Sequence, residues 1–177
     1  RDPQKYPLEQ ILQMAELASS RRADAVPQLR QGLKSQDSGL RYWAAMGLLV
    51  RGSSAVPAAR EELRAALRDA SPTVRVIAAR ALGEYGNETD LSMALAVLRD
   101  LAPPDKNGAY LSILTLNAVD ALGKKAAPLH EFIRTMPPTD PKAVSRANGY
   151  VGRLQSEITG IPLEKEKPAA KKRAAKK

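Results

Sequence analysis

Leu33-Lys34-Ser35-Gln36-Asp37-Ser38-Gly39-Leu40-Arg41 and Leu67-Arg68-Asp69-Ala70-Ser71-Pro72-Thr73-Val74-Arg75 are one pattern written twice, 34 positions apart. The same offset carries Ala44-Ala45 onto Ala78-Ala79, Leu48 onto Leu82 and Gly52 onto Gly86. Self-similarity at a fixed period of this length marks an array of small helical units. A third copy is looser. Leu101 follows Leu67 by 34 positions, but Leu122-Gly123 follows Leu82-Gly83 by 40. The extra length falls in Ala102-Pro103-Pro104-Asp105-Lys106-Asn107-Gly108, a turn by composition.

Each unit reads as two helices. Val74, Ile77, Ala78, Ala81, Leu82 and Tyr85 recur at helical spacing, and so do Leu40, Trp43, Ala44, Gly47 and Leu48. Working outward, helices are expected near 7–18, 24–35, 39–51, 56–69, 72–85, 89–101, 108–122, 126–135 and 142–159. In the first, Leu8, Ile11, Leu12 and Ala15 are expected to face inward. In the last, Val144, Ala147, Val151, Leu154 and Ile158 carry the periodicity. Ser71-Pro72 and Asp140-Pro141 read as starts, an oxygen capping free amides and a proline presetting the first turn. Gly52 and Gly86 read as left-handed stops. The paired alanines let neighbouring helices approach closely, and one helix pair cannot bury its own apolar face, so the pairs must stack. The expected fold is all-α, an α-α superhelix of about three to four helix pairs over residues 1–160, followed by a disordered basic tail over 161–177.

Composition agrees. The 177 residues are 44% hydrophobic but only 4% aromatic. With no Cys and a single histidine, His130, disulfides, thiolate metal sites and multi-histidine sites are excluded. No apolar run approaches the roughly 20 residues of a membrane span. The chain opens on Arg1, not Met, and so reads as a piece of something longer or a processed product. Of the net charge of +9, the stretch from Glu164 to Lys177 carries +5 and the rest only +4. Lys171, Lys172, Arg173, Lys176 and Lys177 form a basic arm able to contact a polyanion weakly and in a salt-sensitive way.

Chemistry-bearing constellations are missing. Glu61 and Glu62 are adjacent on a helix and diverge, whereas acid–base catalysis needs convergent groups. Gly123-Lys124-Lys125 lacks the spacing and the Ser/Thr of a phosphate loop. His130 has no Cys or second His to complete a dyad, and no serine sits in a Gly-x-Ser-x-Gly setting. No catalytic, cofactor-binding or metal-ligating residue is expected. Tyr42 and Trp43 stand out in an aromatic-poor chain. A stacking platform is one reading; Trp43 on the stripe of Leu40 and Gly47 favours core packing, with Tyr42 half exposed.

The spacing of Asp37, Leu40 and Arg41, echoed by Asp69, Val74 and Arg75, resembles the HEAT-repeat consensus. In that family aspartates and arginines of successive repeats form a hydrogen-bonded ladder. The resemblance implies ladder roles for Asp37, Arg41, Asp69 and Arg75, failing at the third copy, where Leu114-Thr115 replaces Val-Arg.

A narrower resemblance covers about residues 1–160. Pro7-Leu8-Glu9-Gln10-Ile11-Leu12, Leu40-Arg41-Tyr42-Trp43-Ala44-Ala45-Met46-Gly47-Leu48-Leu49, Asn117-Ala118-Val119-Asp120-Ala121-Leu122-Gly123 and Asn148-Gly149-Tyr150-Val151-Gly152-Arg153 are similar to the C-terminal helical domain of a group of bacterial sulfatases. That resemblance implies a non-catalytic accessory domain, with formylglycine and calcium only in a preceding catalytic domain. The partner would be that catalytic domain or another protein, the location periplasmic or secreted, and Arg41 or Arg51 would attract a sulfated glycan. Two alternatives stand beside it: a free-standing protein–protein scaffold, and a polyanion or nucleic-acid binder working through the tail.

Overall fold

The computed structural model describes residues 6–162, and every regular element among them is helical. In chain order these are α1 (Leu8–Ser19), α2 (Val26–Gly32), α3 (Ser38–Arg51), α4 (Arg60–Ala66), α5 (Pro72–Tyr85), α6 (Glu88–Leu101), α7 (Pro104–Asn107), α8 (Ala109–Leu122), α9 (His130–Thr135) and α10 (Ser145–Thr159). Prolines shape the short members. Val26-Pro27 opens α2, Pro57 sits in the tight turn before α4, and Pro128 sits in the one before α9. A ring without an amide proton is tolerated there and not in a helix interior.

The helices form two layers. α1, α3, α5, α8 and α10 stand side by side in one; α2, α4, α6 and α9 back them in the other. Thus α2/α3, α4/α5 and α6/α8 are three stacked pairs, α9/α10 a fourth, and α1 leads the array. The 34-residue period becomes a period of burial. Ala44-Ala45 and Ala78-Ala79 are wholly buried, as are Leu48 and Leu82, and Leu29, Leu63 and Leu98 repeat the motif in the backing layer. Each such leucine contributes on the order of 2 kcal/mol of burial free energy. Close approach is enforced where side chains are smallest. A Cβ at Gly47 would lie 2.6 Å from Leu29 Cδ2 and 3.0 Å from Ala18 Cα.

Several local expectations need correction. The Pro103-Pro104 insertion contains the one-turn helix α7. Ser71 makes no cap; its hydroxyl pairs with Thr73 Oγ1 at 2.9 Å, while Asp69 Oδ1 accepts from the Ser71 amide. Gly52 does stop α3 at φ +57°, but Gly86 is extended, and a Cβ there would meet Leu82 O at 2.4 Å. Asp140 does not start its own helix, which begins at Ser145. It reaches across to cap α8, accepting from the Ala109 amide at 3.1 Å, because α8 is preceded by Gly108, which has no side chain to do so.

Candidate interaction surface

The expected ladder residues do not act alike. Arg41 and Asp69 come together across successive repeats: Arg41 Nε donates to Asp69 Oδ2 at 2.6 Å and Nη2 to Oδ1 at 2.8 Å. Nη1 donates to the Ser35 and Gln36 carbonyls, both at 2.9 Å. The bond to Asp69, opposed by burial, holds the Arg41 pKa above its usual value. Burial pushes the Asp69 carboxyl up, but Arg41, the Ser71 amide and the nearby Arg75 charge hold it below the usual range. Asp37 is not in this pair. It caps α3, accepting from the Leu40 amide at 3.0 Å. Arg75 is not paired either, and its Nε is buried with no hydrogen-bond partner among the described residues. The position 34 after Asp69 is Pro103, which offers no carboxylate.

Other links between repeats lie at positions outside the four expected ladder residues. Arg51 ends α3 and donates to the Leu17 and Ala18 carbonyls at the end of α1, both at 3.0 Å. Burial pulls its pKa down, with Asp24 opposing and Arg22 adding to the shift. Tyr85, 34 positions on, lies against Gly52 at the end of α3. Lys125, 40 further, donates to Gly83 and Glu84 carbonyls at 3.2 and 2.6 Å at the end of α5. Arg51 and Lys125 thus place positive charge on the negative pole of the preceding helix. In the backing layer Arg30 bonds Glu62 at 2.7 Å, Arg64 bonds the wholly buried Asp90 at 2.7 Å, and Arg99 covers the Phe132 ring at 4.8 Å. The 34-residue offset from Arg30 to Arg64 marks the backing-layer arginines in the sequence, but nothing there marks the backbone carbonyls that Arg51 and Lys125 reach. Arg41 spends four of its five N–H donors on internal partners and Arg51 all of its nitrogens, which leaves little of either for a sulfated glycan.

The tail residues Lys171, Lys172, Arg173, Lys176 and Lys177 lie outside the described residues. Among the described residues no group of three or more His, Cys, Asp or Glu could hold a metal ion, and no helix is long and apolar enough to cross a membrane.

What the stack does present is an apolar band. Around α3, Gly47 faces α1, Ala44 faces Gly32 of α2, and Arg41 faces Asp69 in the turn that leads into α5. At 3.6 residues per turn the one direction left open carries Tyr42, Met46 and Val50, with Trp43 on its border. Val50 is 43% exposed, and Tyr42, Trp43 and Met46 are half-buried, the two rings meeting edge to face at 5.6 Å. On α1, Ile11 and Ala18 touch α3, and the adjoining side, turned the same way as the open side of α3, carries Leu8, Leu12 and Ala15. Leu8 and Leu12 are 58% and 53% exposed, which overturns their expected inward placement; Ile11 does face α3, and Met14, Leu17 and Ala18 face the stack with it. Opposite Ile11 lie Glu9, Gln13 and Glu16, all exposed, so the outer side of α1 is polar. Tyr6, just ahead of α1, is 68% exposed. Two helices about 18 Å long and 8–10 Å apart give roughly 300–400 Å² of apolar surface, within the range of the largest and often functional patch on a monomer.

The same face changes character over α5, where Val76, Arg80 and Glu84 stand 34 positions after Tyr42, Met46 and Val50: Val76 is buried, and Arg80 Nε bonds Glu84 at 2.6 Å. The band is therefore bounded. Compared with known proteins, the chain is matched by the family model for HEAT repeats over residues 26–116. No curated protein and no solved structure matches it.

Proposed function

From the premise that this chain belongs to the HEAT-repeat family, we propose that it is a non-catalytic scaffold that docks protein through the α1/α3 band. HEAT repeats are helical-repeat modules that commonly mediate protein interactions. The observation that carries the reading is the contiguity of Leu8, Leu12, Tyr42, Met46 and Val50 on a backbone fixed by inter-repeat bonds. A rigid face loses little conformational entropy when covered, so its apolar area converts efficiently to affinity. Leu12→Glu and Val50→Glu, both at exposed positions, should abolish partner binding in a pull-down while leaving the helical circular dichroism unchanged. Binding that survives both charges would sink the proposal.

A finer reading is favoured by the motif Leu40 to Leu49, which carries three of the band residues and resembles the sulfatase accessory domain. On it, the chain supports the catalytic domain of a sulfatase-family hydrolase, and formylglycine and calcium chemistry belong wholly to that domain. Sequencing the gene upstream of Arg1 tests it: an α/β domain with a Cys/Ser-x-Pro-x-Arg motif is expected, and an unrelated domain refutes it. The lysine-rich tail is a separate proposal, contact with a polyanion. Deleting Glu164 to Lys177 should remove retardation of DNA at low salt, and no retardation by the intact chain refutes it.

A further inference from the structure

We propose that the α1/α3 band seats one amphipathic helix of a partner protein, about 12 residues long, whose basic flank lies over Glu9 and Glu16. This names the class of partner for the docking face above and rests on that reading.

The shape and size of the band fit a helix. A Cβ on Gly39 would lie 3.2 Å from Ile11 Cδ1, and one on Gly47 would lie 3.0 Å from Ala18 Cα. The two contacts advance together along both helices, so α1 and α3 run parallel and closely packed. Their join leaves a furrow open to solvent, walled by Leu8 and Leu12 on one side and by Trp43, Met46 and Val50 on the other. Leu8 and Leu12 stand four positions apart, as do Met46 and Val50, and an amphipathic helix presents its anchors at the same spacing. Over about 18 Å, the inward half of a helix about 10–12 Å across presents roughly 300 Å². That matches the area of the band, whereas a stable complex between folded domains covers about 800 Å² on each partner.

The rim sets the charge. At about 100° per residue, Glu16 and Glu9 lie about 40° and about 60° beyond Leu12 around α1, along the outer edge of the furrow. Both are exposed, and neither enters an ion pair among the described residues. The other charges nearby are spent or stand off this edge. Arg80 pairs with Glu84 on the α5 side, Arg22 pairs with Asp24 at 3.2 Å, and Arg41 and Arg51 turn to internal partners. Arg21 follows the last turn of α1, at the end of the furrow rather than along it. The edge is therefore acidic over about 10 Å, the rise from Glu9 to Glu16. A helix with Lys or Arg along one side of its apolar stripe complements it, while an acidic peptide or an anionic lipid surface is repelled.

Two synthetic helical peptides of about 14 residues test this. One carries a leucine stripe edged with lysine, the other the same stripe edged with glutamate. Trp43, the single tryptophan of the chain and part of the furrow wall, reports binding by its fluorescence. At low salt the lysine peptide should saturate the full chain with a Kd of about 10–100 μM, and the glutamate peptide should bind about fivefold more weakly or worse. Glu9→Lys combined with Glu16→Lys should invert that preference. Leu12→Gln and Val50→Gln should each weaken the lysine peptide about fivefold or more, whereas Asn117→Gln, on the exposed side of α8, should not. Circular dichroism and thermal melts establish that each variant is folded. No binding of either peptide up to about 1 mM overturns the proposal. So does equal affinity for the two, or a preference that the double charge reversal leaves unchanged. Binding to phosphatidylserine vesicles that is lost in Leu12→Gln overturns it in favour of a membrane surface. If the peptides fail while Leu12→Glu and Val50→Glu still abolish the pull-down, the docking reading stands without the helix; a pull-down indifferent to both removes the two together.

Discussion

Removing the Arg41–Asp69 link gives the most quantitative test of how the repeats hold together. The Asp69 side chain is 8% exposed and that of Arg41 15%. The pair is bidentate, and Asp69 also takes the Ser71 amide at 2.7 Å. Asp69→Ala removes all three bonds and leaves Arg41 held only by the Ser35 and Gln36 carbonyls. Charge-assisted bonds are worth about 1.5–3 kcal/mol, and a buried charge left unpaired costs more, so about 3 kcal/mol is expected at pH 7. Arg41→Met should cost a similar amount. The double variant should cost about 2 kcal/mol less than the sum, because the second substitution removes a charge already stranded. In a thermal melt each single variant should lose about 6–12 °C. The pH dependence has a definite sign. Asp69 titrates in the folded chain below its unfolded value of about 3.9. Its contribution is therefore complete above that value and is lost as pH falls through the lower folded pKa. The deficit of Asp69→Ala should accordingly shrink as pH falls below about 4. A deficit under about 1 kcal/mol at pH 7, or one that persists unchanged into acid, would refute the reasoning.

Other positions make independent predictions. Gly47→Ala should destabilise by about 2 kcal/mol in urea unfolding, because the new methyl meets Leu29 at 2.6 Å and the Ala18 backbone at 3.0 Å. Asn87→Ala removes the α6 cap, in which Asn87 Oδ1 accepts from the Asp90 amide at 2.9 Å, and should cost about 1 kcal/mol or about 2–4 °C. Arg51→Gln frees the carbonyl end of α1, and amide exchange should accelerate over Leu8–Ser19 before it does over α5.

The fold was legible because the period is written in alanines and leucines, and burial repeats wherever they do. Leu8 and Leu12 were misplaced for a physical reason. Helix α1 is apolar on two adjoining sides, Ile11-Met14-Ala18 and Leu8-Leu12-Ala15, and periodicity cannot say which one meets a neighbour. Asp37 and Asp69 share a local pattern, yet one caps its own helix and the other crosses to Arg41. That choice depends on where Arg41 reaches in three dimensions. Arg51 and Lys125 were opaque because their acceptors are backbone carbonyls, present at every residue and so leaving no mark in composition. Asp140 was misread through distance: it caps a helix whose start lies 31 positions upstream.

The most direct test of the whole account combines Leu12→Glu with Val50→Glu and compares the double variant with the parent by thermal unfolding and by binding of a hydrophobic dye to the folded chain. A docking face predicts a cooperative transition within about 3 °C of the parent together with a clear loss of dye binding at 25 °C. A transition lowered by about 10 °C or more would show these side chains to be core, and unchanged dye binding would show that the exposed apolar surface lies elsewhere.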